Sequence, residues 1–133
     1  MNIDKIFSIF ETNEDLSTED LLGSPYILLG TVIKGILSYP FVHNFYKHKY
    51  GETFSNLEAD LKMNYFTGLF SYLGRIKEID GETVSYLKED FSEEVINQIF
   101  SEMLRYFEEK EYYEKCIIIK KNFDYFQEKV GTP

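Results

Sequence analysis

Tryptophan is absent from this chain, and cysteine occurs once, at Cys116. A lone thiol excludes an internal disulfide and a cysteine-based zinc site, and makes the reducing cytoplasm the expected compartment. Proline (3) and glycine (8) are sparse and no low-complexity tract is present, which excludes fibrous and disordered classes. Positive charge is in deficit: 14 Lys and Arg face 23 Asp and Glu, for a net charge of −9. The summed field repels nucleic acid and anionic lipid unless a local basic patch overrides it, and so favours a basic protein partner. No apolar run reaches the ~20 residues of a membrane span, because Lys34 interrupts the longest one and Pro40 closes it. The first ten residues include Asp4 and Lys5 but neither a basic leader nor a continuous apolar stretch, so no signal peptide is expected.

What is present suffices for a core. Hydrophobic residues make up 44% of the chain and aromatics 17%, and the length predicts one helical domain over residues 1–133. The bias towards Ile, Lys, Phe, Tyr and Asn is that of AT-rich codons, which points to a bacterium or its virus. The expected fold class is all-α, a mostly helical bundle with a C-terminal helical hairpin. The hairpin is the most explicit part. Val95, Ile96, Ile99, Phe100, Met103, Leu104 and Phe107 recur at steps of one, three and four, opposite a polar face. Beyond a charged break, Tyr112, Cys116, Ile119, Phe123, Phe126 and Val130 form a heptad-like seam. Tyr113, Ile117, Ile118 and Tyr125 widen that seam, which predicts a homodimer through Ile118 and Tyr125.

Earlier in the chain, Asn2 caps a short helix carrying Ile3, Ile6, Phe7 and Phe10. Residues 11–20 hold five carboxylates and no base, and read as a solvated linker in which Ser17 caps a short helix that Gly23 stops. Ser24-Pro25 opens the most apolar segment, Tyr26 to Leu37, which reads as a buried central helix, with a strand as the alternative because of Thr31, Val32 and Ile33. Gly30 and Gly35 would let another backbone approach it closely. Pro40 starts a further helix that Gly51 ends. Ser55-Asn56-Leu57-Glu58 reads as a capping box, with Phe54 and Ala59 as its staple, for a long helix reaching at least Gly74. Asp80-Gly81 leaves two readings of residues 75–87: helix, loop and short helix with Thr83 as cap, or an α+β alternative with a small β-hairpin. The first is preferred because the apolar residues do not alternate.

No catalytic set emerges. His43 and His48 are five apart, which does not place two imidazoles on one helix face, so no metal site and no cofactor are expected. The glycines match no phosphate-binding loop, there is no Ser in a nucleophile elbow, and no carboxylate lies in an apolar context that would fit it for acid catalysis. Cys116 on the seam reads as an inert core thiol. From Tyr39 to Phe54, aromatics interleave with His43, Lys47, His48 and Lys49, and no carboxylate occurs between Asp20 and Glu52. Tyr46 and Tyr50 with those cations are the candidate site for nucleic acid or an anionic small ligand, although helical spacing favours Phe41, Phe45 and Tyr46 as core.

The leading expectation is a non-enzymatic, acidic protein that binds and inhibits or regulates a basic-surfaced protein. Its candidate contact residues are two acidic clusters: Glu14, Asp15, Glu19 and Asp20 with Glu11, and Glu108, Glu109, Glu111 and Glu114 around the hairpin turn. Phe107 to Lys121, with its break at Lys110-Glu111 and the run Tyr112-Tyr113-Glu114-Lys115-Cys116, resembles the helical hairpin motif shared by the excision-repair proteins UvrB and UvrC, which mediates protein contact. Cys116-Ile117 stands where that motif has an alanine pair, and Lys120-Lys121 where it has Arg-Asp. The resemblance therefore implies a helical hairpin and carries over no functional residue.

Overall fold

The structure, a computed structural model, describes residues 23–130, so the expected opening helix and the acidic cluster at Glu14, Asp15, Glu19 and Asp20 lie outside the described residues. Among the described residues the protein is all-α. The elements are α1 (Pro25–Tyr50), a 3-10 turn (Gly51–Thr53), α2 (Phe54–Leu73), α3 (Gly81–Asp90), α4 (Glu93–Glu109) and α5 (Tyr113–Val130). No strand occurs among the described residues, which sets aside both the β-hairpin at 75–87 and the strand at 31–33.

Helix α1 starts as its sequence directs, with Pro25 in the first turn and the Ser24 carbonyl accepting from the Leu28 N–H at 2.9 Å. The Ser24 hydroxyl caps nothing. The expectation that Pro40 closes this helix is corrected: α1 runs through it for 26 residues. An internal proline loses one hydrogen bond and crowds the carbonyl four residues back, costing about 3 kcal/mol. Packing on α2 either side of it offsets that cost. The Tyr65 hydroxyl donates to the Gly35 carbonyl at 2.8 Å, Tyr39 meets Phe66 edge-on at 5.6 Å, and His43 bonds Glu58 at 2.9 Å. At Gly35 what comes close is a side chain rather than a backbone: a Cβ there would stand 2.5 Å from a Leu69 methyl.

The two halves of α1 differ. Leu28, Leu29, Val32, Ile33 and Ile36 are buried, whereas no residue from Leu37 to Tyr50 is. By length and composition Pro25–Leu73 contains an 18-residue window apolar enough to cross a bilayer, with mean hydropathy 1.3, yet only 33% of that window is buried. Residues 55–60 of α2 are exposed as well, so distal α1 and the start of α2 form a two-helix arm beyond the core.

The capping box at Ser55 does not form. Gly51, at φ 58°, turns α1 directly into the 3-10 turn, and α2 begins at Phe54, so no extended residue is left to act as cap. Ser55 donates instead to the Glu52 carbonyl, and Glu58 pairs with His43. Helix α2 ends at Leu73 with Gly74 after it. Leu73, Ile76 and Ile79, three apart, plug the core through the connection. Asp80, rather than Thr83, caps α3, its carboxylate accepting from the Thr83 N–H at 2.7 Å.

The C-terminal hairpin forms as read. The Ser92 hydroxyl caps α4 by accepting from the Val95 N–H, and Ile96, Ile99, Phe100, Met103 and Phe107 are buried against Cys116, Ile119 and Phe126 of α5. One contiguous core cluster joins all five helices.

Candidate functional site

On the arm, helical spacing divides distal α1 into two faces. Tyr39, His43, Tyr46 and Tyr50 face α2. The imidazole of His43 meets Phe54 edge-on at 4.9 Å, and Tyr46 and Tyr50 border a small cleft of about 200 Å³ with Phe54, Leu57 and Leu61. Leu37, Phe41, Phe45 and His48 lie on the opposite side. Phe41 is 77% exposed and Phe45 61%, which corrects their assignment to the core. Periodicity reports that aromatics recur, but not which of two aromatic faces the partner helix covers. Lys47 and Lys49 flank this outer stripe and neither forms an ion pair among the described residues; Lys49 instead lies 5.5 Å from the Tyr50 ring. The sequence-derived anionic-ligand set is thus split: His43, Tyr46 and Tyr50 hold the arm together, while Lys47, His48 and Lys49 are exposed.

The second site is the turn between α4 and α5. All of residues 108–114 are exposed, and none of Glu108, Glu109, Glu111 and Glu114 forms an ion pair among the described residues. The turn is a complete Schellman closure: the Tyr112 N–H donates to the Phe107 carbonyl at 2.9 Å, and the Glu111 N–H to the Glu108 carbonyl at 3.0 Å. The accompanying apolar contact is Tyr112 on Phe107, with ring centroids 6.3 Å apart. The left-handed position such a motif reserves for glycine holds Glu111, at φ 62°. Sequence reasoning found the acids but missed this strain, because nothing in Lys110-Glu111 signals a left-handed residue. Beside the acids, Tyr113 is 62% exposed and Ile117 68%.

Ile118 and Tyr125, seven residues apart, lie on one side of α5. Ile118 is 36% exposed, whereas Tyr125 packs partly against the core. Cys116 is buried, and desolvation first, then the Glu108 charge, push its thiol up from its ordinary value, so it holds its proton.

Between the two sites lies a shallow cleft of about 400 Å³ whose lining includes Lys62, Phe66, Gln98, Glu102, Arg105 and Tyr106. The Lys62 ammonium sits 5.2 Å from the Tyr106 ring, 5.5 Å from Phe66 and 5.9 Å from Tyr39. Burial chiefly raises Tyr39 and Tyr106 above the usual phenol range, so both stay neutral and serve as packing for that cation. Among the described residues no group of three or more His, Cys, Asp and Glu side chains is placed to hold a metal ion.

No family model matches the chain, and neither a curated protein nor a solved structure matches it at a significant level. Fold and sites define a class by themselves: an all-α domain with two exposed aromatic faces of opposite charge, one on a helical arm and one at a hairpin turn.

Proposed function

We propose that this protein acts by contact with other proteins, as a non-catalytic binding module. The observation that carries the reading is the outer stripe of α1, where two phenylalanines four residues apart stand in solvent at 77% and 61% exposure. A stripe of Leu37, Phe41 and Phe45 presents roughly 400 Å² of apolar side chain, within the range in which a patch on a monomer usually has a function. Apolar residues at helical spacing fit a groove between helices of another protein.

The acidic hairpin turn supports a companion contact with a basic-surfaced partner, through which the module would inhibit or regulate. Glu111 favours it, since a glutamate in a left-handed backbone is a local cost that glycine would avoid. The test places a photo-crosslinking residue at Asn44, beside the stripe, and compares lysate capture with and without Phe41→Asp and Phe45→Asp. A crosslinked protein that disappears in the double variant, with circular dichroism unchanged, supports the reading. An identical crosslinking pattern in both would remove the arm as a contact face.

A further inference from the structure

We propose that a second copy of this chain covers the α1 stripe, the cationic aromatic arm of one copy docking on the acidic aromatic hairpin turn of the next. This rests on the reading of the arm as a contact face and names its occupant. The two faces are complementary in both respects that decide association. The arm's outer face offers Leu37, Phe41 and Phe45 with Lys47 and Lys49; the turn offers Tyr112, Tyr113 and Ile117 with Glu109, Glu111 and Glu114, and although Lys110 and Lys115 sit among them, residues 108–115 stay net negative. Apolar surface meets apolar surface, and flanking cations meet flanking carboxylates.

A symmetric arm-to-arm contact is disfavoured by the same charges. Helix α1 itself carries no carboxylate, and the arm's acids Glu52, Glu58 and Asp60 belong to the 3-10 turn and α2, so pairing two α1 stripes about a two-fold axis sets Lys47 and Lys49 of one copy against those of the other. The arm and the turn belong to different elements and share no residue. Every contact is therefore arm to turn, and assembly closes as a reciprocal pair or a larger ring, or continues as a filament.

Sedimentation velocity on the full chain tests this with two disabled variants. The arm variant is Phe41→Asp with Phe45→Asp, and the turn variant is Glu109→Lys, Glu111→Lys and Ile117→Asp. The wild type should associate, each variant alone should be monomeric, and a one-to-one mixture should form a dimer and nothing larger, because each supplies the face the other lacks. Lys47→Glu with Lys49→Glu, which removes no apolar contact, should weaken association at least tenfold. Raising salt from about 50 to about 500 mM should do the same to the wild type. A mixture as monomeric as its components would overturn the proposal, as would a monomeric wild type at high micromolar concentration. If the arm variant melts well below the wild type while both are monomeric, the chain's own residues 1–22 cover the stripe and the proposal is likewise overturned. Failure here with the Asn44 crosslink intact leaves a foreign partner as the occupant; failure of both removes the binding reading itself.

Discussion

The Tyr26 hydroxyl donates to an Asp90 carboxylate oxygen, tying the start of α1 to the end of α3. That hydrogen bond first, then burial, push Tyr26 from 10.0 up to about 12. Because the folded value is raised, the contribution to stability is complete below about pH 10 and is lost as pH rises towards 12. Tyr26→Phe should therefore lower the melting temperature at neutral pH and flatten its fall in alkali, read from thermal melts between roughly pH 8 and 12. Asp80 has the opposite sign. The Thr83 backbone N–H holds its carboxyl below the usual carboxylate range, so its contribution is present at neutral pH and is lost as pH falls through the folded value. Asp80→Ala should cost about 1 kcal/mol in urea unfolding at pH 7, and less in acid. At Glu111 the expectation is a gain: relieving the left-handed strain, Glu111→Gly should stabilise by about 1 kcal/mol. If the turn is a contact face, the same change weakens association while the fold becomes more stable.

Helices were legible where apolar periodicity was strong. The apolar steps from Val95 to Phe107 gave α4, with Ile96, Ile99, Phe100, Met103 and Phe107 buried as the pattern named them; Val95 and Leu104 are only partly covered, and Tyr106, which the pattern passed over, is buried. Local rules failed where tertiary contact outweighed them. Pro40 should end a helix, but α2 packs on both sides of it; Ser55 should cap one, but the turn at Gly51 is too tight to leave it outside. Pro40→Ala should accordingly stabilise by about 1–3 kcal/mol, since the helix already exists and gains a hydrogen bond. Denaturant titration checks it, and a destabilised variant would mean that the proline ring itself contributes to the packing there. On α5, Ile119 is fully buried and Ile118 is not. Ile119→Asp should cost several kcal/mol through an unpaired buried carboxylate, and Ile118→Asp under about 1 kcal/mol.

At the scale of the whole molecule, charge and exposure are distributed unevenly. The chain's net charge is −9, yet three lysines and no carboxylate lie between Asp20 and Glu52, and two of them, Lys47 and Lys49, occupy the arm, the least buried part of α1. The sequence made the charge asymmetry legible. It could not tell a covered aromatic face from an open one, because both recur at helical spacing and differ only in where α2 happens to pack. The proposed contact requires the outer face of distal α1 to be free of the chain's own core. Urea unfolding of Phe41→Asp with Phe45→Asp at low micromolar concentration tests it most directly. The double variant should keep a stability within about 0.5 kcal/mol of the parent chain, as for substitutions at solvent-exposed sites. A loss of several kcal/mol, the cost of two carboxylates buried without partners, would contradict it.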